Sequence, residues 1–184
     1  MRIGVIVGSI AKESINKKLA STFPALAPEG TEFTFIDIAG LPMYSYDYDG
    51  NFPEVARDFK AAIDSVDGVI IVTPEYSRSL PGVLKNALDW SARPYGQFSF
   101  FGKPVAIIGA SQGNVGTAAA QQHLRAILGH YNAITMGQPE AFFVYRPADF
   151  GANGEVLNES TAALLEGYLA AVTAHVGRFA PVNA

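Results

Sequence analysis

Three stretches of this chain carry residue types that can hold a ligand. The first is Gly8-Ser9-Ile10-Ala11-Lys12-Glu13-Ser14-Ile15-Asn16. It offers two hydroxyls, a carboxamide and the free amides of a helix N-terminus, a combination that suits a phosphate monoester because the helix end carries partial positive charge. It lacks both the glycine spacing of a dinucleotide fingerprint and the Gly-Lys-Ser/Thr ending of a P-loop, which argues against a Rossmann NAD domain and a P-loop NTPase. Simple helix capping by Ser9 and Ser14 is the alternative use of these residues. The second stretch is Pro74-Glu75-Tyr76-Ser77-Arg78-Ser79-Leu80-Pro81-Gly82. Two prolines stiffen it, Tyr76 offers a flat face, and its backbone amides can hydrogen-bond the edge of a planar heterocycle; a capped turn before a core helix is the plainer reading. The third is Gly109-Ala110-Ser111-Gln112-Gly113-Asn114-Val115-Gly116. Its glycines allow close backbone approach to a ligand, and Ser111 can equally be a helix N-cap.

The third stretch also fits Gly-x-Ser-x-Gly, the nucleophile elbow of α/β-hydrolases, with Asp149 and His175 following in triad order. A serine hydrolase using Ser111 is therefore a rival. The chain is short for that fold, His175 falls inside a predicted long helix, and the first two stretches would have no role. His123, His130 and His175 show no metal-ligand spacing, so no metal site is expected, and Trp90 reads as core.

The elements that position these stretches follow from hydrophobic pattern. Ile3–Val7, residues 68–73 and residues 104–110 are continuous apolar runs, as expected of parallel strands covered on both faces. Residues 31–38 read as a second strand, and residues 133–144 contain a fifth. Helices are predicted from Ile15 to Leu26, with Pro24 ending or kinking it, over 53–66, from Pro81 onward, over 117–128, and after an Asn158 N-cap, where Leu165, Tyr168, Leu169, Val172, Val176 and Phe179 form an apolar stripe. Residues 41–52 form a loop in which Met43, Tyr44 and Tyr46 can wall an acceptor pocket, for instance across a subunit boundary, or equally be a tyrosine-rich surface loop. Five β-α units in series imply a parallel sheet with helices on both faces. Ligands of such sheets sit beyond the C-terminal strand ends, where the three stretches emerge.

The 184 residues suit a single domain spanning 1–184, and about half of them are apolar. The net charge of −4 argues against a nucleic-acid binder, which needs a basic surface. The absence of cysteine excludes disulfides, Cys-ligated metals and thiol catalysis, and fits a cytoplasmic protein. No segment reaches the length of a membrane span.

Taken in order, GSIAKESIN, PEYSRSLPGVLKNALDW and SQGNVGTAAAQQHLRAIL resemble the GSxRxxSxN, PEYNxSxPGxLKNAxDW and SxGxxGG…AQxxLRxxL motifs of the NADPH-dependent FMN reductases, a branch that includes quinone and chromate reductases. LPMYSYDYD resembles that family's LPLYxxD loop. The resemblance runs from about Ile3 to Leu128. It implies a flavodoxin-like doubly wound five-stranded sheet of order 2-1-3-4-5 and a non-covalently held FMN. It implies phosphate contacts from Ser9, Ser14 and Asn16, a cofactor contact from Ile15, ring and ribityl contacts from Pro74, Glu75, Tyr76 and Ser77, and further contacts from Ser111, Gln112 and Gly113, with the Gly113 amide near the pyrimidine edge. It also implies NADPH or NADH as co-substrate, a homodimer or homotetramer, and ping-pong electron transfer to quinones, free flavin or other small acceptors. The chemistry would be the cofactor's own, so no catalytic side chain is assigned. A flavodoxin-type electron carrier without NAD(P)H oxidation is the second reading. The chain departs from the family at three places: Ala11 stands where an arginine is usual, Ser77 replaces a common asparagine, and Thr117 replaces a glycine.

Overall fold

The strand sequences are apolar at consecutive positions because both faces of the sheet are covered, and alternate side chains enter two different cores. In the computed structural model, which describes residues 1–151 and 154–179, β1 (Arg2–Val7), β2 (Glu32–Phe35), β3 (Gly68–Val72), β4 (Pro104–Ser111), β5 (Ile134–Thr135) and β6 (Ala141–Val144) form one sheet. Its order is β2-β1-β3-β4-β5, with β6 also on β4, and every pairing is parallel. This is the flavodoxin-like order expected from the sequence.

Helices α1 (Ile15–Ser21), α2 (Phe23–Leu26) and α6 (Glu159–Phe179) cover one face, and α3 (Glu54–Asp64), α4 (Gly82–Ser91) and α5 (Ala118–His130) the other. Ile70, Val72, Ala106 and Ile108 pack with Leu19, Phe23, Leu169 and Val172. Their strand neighbours Val69, Ile71, Val105 and Ile107 pack with Ile63, Leu84, Trp90 and Leu124. Each fully buried large side chain contributes roughly 1.5–3 kcal/mol. At Gly68 a Cβ would lie 2.5 Å from Val176, so this glycine lets α6 approach β3.

Three boundaries differ from the sequence reading. The fifth strand is broken into β5, on Pro104–Val105, and β6, on Ile108–Ser111. Gly137 and Pro139 lie in the break, and proline has no amide to give a ladder. The second strand is four residues rather than eight, since its edge position gives it a single partner, β1. The first predicted helix divides at Thr22, because Pro24 in the first turn of α2 cannot donate into the turn before it. Asn158 caps α6 as expected, its Oδ1 accepting from the Thr161 amide at 3.0 Å.

After β1 the chain runs under one face, and after β3 it runs over the other. The two connections part at the C-terminal edge and leave the crevice in which sheets of this order bind ligands.

Candidate functional site

The crevice is lined by Ser9, Ala11, Glu13, Ser14, Ile15, Asn16, Pro74, Glu75, Tyr76, Ala110, Ser111 and Gln112 and has a volume of about 320 Å³. Nine of the eleven predicted site residues thus share one cleft. Ser77 and Gly113 follow directly on its walls but do not line it. A larger cavity of about 690 Å³ lies between β6 and α6, among Ala141, Phe142, Val144, Ala163 and Leu164. None of the three ligand-type stretches reaches it, so size and chemistry point to different places, and the convergent backbone amides favour the smaller cleft.

At the first turn, Ser9 and Ser14 are buried. Ser14 is the N-cap of α1, its Oγ accepting from the Lys17 amide at 3.3 Å. That leaves the Ile15 and Asn16 amides, which have no partner within the helix, at the cleft. The Asn16 side chain does something sequence reasoning missed. Its Nδ2 donates to the Ala110 carbonyl at 2.9 Å, and its Oδ1 accepts from the Ala110 amide at 2.8 Å. The last β3–β4 rung is Thr73 N to Ile108 O; beyond it β3 turns away, and the Asn16 carboxamide takes the place of the missing peptide. This clamp ties the first turn to the third.

The second turn is a tight two-residue hairpin. Tyr76 and Ser79 exchange both backbone hydrogen bonds, at 3.0 and 2.9 Å. Between them Ser77 and Arg78 have φ of 50° and 64°, left-handed values that side-chain-bearing residues adopt at a cost. An asparagine tolerates this region better than serine, which gives a reason for the family's preference at position 77. Ser79 Oγ shares a 2.9 Å hydrogen bond with His123 Nδ1 on α5, so that histidine braces the turn. Glu75 lines the cleft with its side chain 10% exposed. Its Oε2 accepts from the Ala119 and Ala120 amides at 3.0 and 3.2 Å, capping α5 from outside. Its Oε1 lies 3.4 Å from Arg78 Nη1.

In the third turn Ser111 is not a helix cap. Its hydroxyl closes a loop on Gly113, donating to the carbonyl and accepting from the amide, both at 3.0 Å. The Gly113 amide expected at a pyrimidine edge is thereby held inside the turn. Thr117 precedes α5 with φ 77°, explaining why glycine is usual there. A Cβ on Gly109 would lie 2.2 Å from the Thr73 carbonyl oxygen, so this position admits no side chain.

The hydrolase reading fails on placement. Asp149 Oδ2 accepts from Thr161 Oγ1 at 2.9 Å, and His175 Nε2 donates to the Ile134 carbonyl at 2.8 Å. Ile134 pairs with Pro104 at the start of β4, whereas Ser111 is at its end, about 23 Å away along a strand. No triad forms.

The tyrosine-rich loop does not wall this chain's own cleft. Trp90 Nε1 and Asn86 Nδ2 both donate to the Pro42 carbonyl, at 2.7 and 2.9 Å, and the Tyr44 amide donates to Asn86 Oδ1 at 2.8 Å. The rings of Tyr44, Tyr48 and Phe52 surround Trp90 at 5.1–5.4 Å. Arg93 bonds the Tyr44 hydroxyl and pairs with Asp49 at 2.8 Å. Burial raises the Tyr44 phenol pKa, against the lowering effect of Arg93. Met43 and Tyr46 remain exposed.

Comparison with known proteins identifies the family and the fold. The family described as NADPH-dependent FMN reductase matches residues 1–146. The chain is 50% identical over 169 residues to a 2-hydroxy-1,4-benzoquinone reductase from Burkholderia sp, covering 92% of each. It is 38% identical over 168 residues to a quinone reductase from Pseudomonas putida, covering 91% of this chain and 90% of that one. Among solved structures, FerB, a flavoenzyme NAD(P)H:(acceptor) oxidoreductase from Paracoccus denitrificans, superimposes with a TM-score of 0.93 at 40% identity, covering 97% and 98% of the two chains. Matched over residues 1–146 and by relatives along nearly its whole length, the chain belongs to the NADPH-dependent FMN reductase family.

Proposed function

We propose that the cleft of the three turns holds FMN non-covalently and that the protein passes electrons from NADPH or NADH to a quinone, free flavin or another small acceptor by alternating half-reactions. The observation that carries this reading is the convergence of Ser9, Ser14, Pro74–Tyr76 and Ala110–Gln112 on one cleft at the point where the strand order reverses. The residues present fit the group. Two hydroxyls and two helix-start amides suit the phosphate; Pro74 to Tyr76 and Ala110 to Gln112 flank a slot for the ring. The turn's closing bonds use the Tyr76 and Ser79 amides, so the Ser77 and Arg78 amides between them stay outside that ladder. Ala11 removes one positive charge from the phosphate end, and Lys18 there is paired with Glu13 at 3.1 Å, so binding rests on hydrogen bonds more than on charge.

When bound, FMN supplies the two-electron relay: NAD(P)H gives up a hydride and leaves as NAD(P)⁺, and a quinone gains two electrons and two protons to leave as hydroquinone. The chain's own residues position the reactants. Glu75, fixed by the α5 amides, and the braced Tyr76–Ser79 turn hold one wall rigid; the Asn16 clamp holds the other. Electron carriage without NAD(P)H oxidation is the weaker reading, because curated relatives across more than 90% of this chain are named reductases.

A homodimer or homotetramer extends this reading. The exposed Met43 and Tyr46, and Tyr95 and Phe101 beside them in exposure, are the large apolar side chains a second copy would cover, and Met43 and Tyr46 would then complete the acceptor pocket of a neighbour. A cytoplasmic location matches the supply of NAD(P)H. No helix among the described residues is long and apolar enough to cross a membrane.

The test is anaerobic stopped-flow spectroscopy of the FMN-loaded protein. One equivalent of NADPH should bleach the blue absorbance, and benzoquinone added afterwards should restore it without nucleotide present. Absorbance that NADPH and NADH leave unchanged would refute the reductase reading.

A further inference from the structure

Arg78 occupies the tip of the strained hairpin, and the structure shows no packing reason for a long cation there. Its side chain is 73% exposed. Its contact with Glu75 is long, 3.4 Å, and uses one nitrogen of the guanidinium. The Glu75 carboxylate is at the same time engaged by the two amides at the start of α5, which carry the helix's partial positive charge. The Glu75 carboxylate is thus shared between Arg78 and the helix, and the other guanidinium nitrogens of Arg78 have no bond among the described residues. The backbone cost of φ 64° at this residue is met by three fixed hydrogen bonds: the two of the Tyr76–Ser79 pair and Ser79 to His123. Strain maintained by its surroundings marks a position whose geometry is used. Tyr76, 57% exposed, presents a ring beside the same rim.

Resting on the FMN reading above, we infer that Arg78 selects anionic acceptors: quinones bearing an ionised hydroxyl, a carboxylate or a sulfonate. A planar anion at the mouth of the cleft has the Tyr76 ring to lie against and the free guanidinium nitrogens to pair with, a geometry in which arginine's planar fork outperforms lysine's point charge. The overall reaction is unaltered: NAD(P)H supplies a hydride, water a proton, and the quinone becomes a hydroquinone. Arg78 is a specificity residue that acts in the half-reaction with the acceptor.

The experiment compares 1,4-naphthoquinone with its 2-sulfonate as oxidants of the NADPH-reduced, FMN-loaded protein, in the parent, Arg78→Asn and Arg78→Lys. Asparagine keeps the left-handed turn while removing the charge. The ratio of kcat/KM for the sulfonate to that for the neutral quinone should fall about two- to fivefold in Arg78→Asn, the size of one exposed ion pair, and recover in part in Arg78→Lys. The parent's preference should weaken with added salt. An unchanged ratio overturns the inference, as does a loss confined to reduction by NADPH and absent with NADH, which would assign Arg78 to the nucleotide's 2′-phosphate. Flavin that NADPH fails to bleach would instead sink the underlying reductase reading, and this inference with it.

Discussion

Replacing Asn16 with alanine separates two roles that the same residue can have. If Asn16 touches the cofactor phosphate directly, its loss weakens binding and leaves the protein fold intact. The structure gives it another task, since both polar atoms of its carboxamide are spent on Ala110 and the residue is 1% exposed. In Asn16→Ala the Ala110 amide and carbonyl lose their partner in a buried setting. Each unpaired group costs about 1–3 kcal/mol, so the variant should lose about 2–6 kcal/mol of stability. Asn16→Asp should fare no better at neutral pH, because a carboxylate can accept from the Ala110 amide but cannot donate to its carbonyl. Urea denaturation of the FMN-free protein measures the loss directly. Calorimetric titration with FMN should show weakened affinity, because the first and third turns no longer share an anchor. A stability change below about 1 kcal/mol alongside lost FMN affinity would refute the clamp and make Asn16 a direct ligand.

Other consequences are open to test. Ala11→Arg should tighten FMN binding about three- to tenfold at low salt, the gain shrinking as ionic strength rises; affinity unmoved by the arginine would place the phosphate elsewhere. Gly109→Ala should destabilise the chain by more than about 3 kcal/mol, because the new methyl meets a backbone oxygen that cannot give way; a soluble variant of parental Tm would contradict the packing at the third turn. Burial raises the Tyr131 and Tyr168 phenol pKa values above the ordinary 10.0. The native chain therefore keeps protons that the unfolded chain releases, and stability should fall as pH climbs above 10. Lys60 and Lys103, whose pKa values burial lowers, act in the opposite direction there. Tyr168→Phe should flatten the alkaline decline with little loss at neutral pH, since the Tyr168 hydroxyl has no hydrogen-bond partner among the described residues. Tyr131→Phe should flatten it too while losing about 1 kcal/mol, because the Tyr131 hydroxyl donates to the Leu88 carbonyl at 3.0 Å.

Much of the fold was legible in sequence because its strands are doubly covered. Runs such as Val69–Val72 have no polar face to show, and parallel pairing with helical crossovers is the arrangement that buries both sides. The Asn158 cap and the α6 stripe were legible for local reasons. The break between β5 and β6 was not, because both pieces occupy the same edge of β4 and a broken strand keeps the composition of a whole one. At the site, the three turns could be read from residue types, but their internal wiring could not. Asn16 reaches Ala110 across 94 positions, and Glu75 reaches Ala119 across 44; both are contacts that only the tertiary fold creates. His123, exposed on α5, braces a turn for the same reason. Ser111 mimicked a nucleophile because a strand-turn-helix with small residues serves ligand binding and acyl transfer alike, and the difference lies in where Asp149 and His175 end up.

Hydrogen–deuterium exchange of the FMN-free and FMN-saturated protein tests the convergence of the three turns most directly. The account predicts slowed exchange in peptides covering residues 9–16, 74–78 and 111–113 together. Protection centred instead on residues 139–146 and 160–168, around the larger cavity, would show that the cofactor sits elsewhere and that the turns have another purpose.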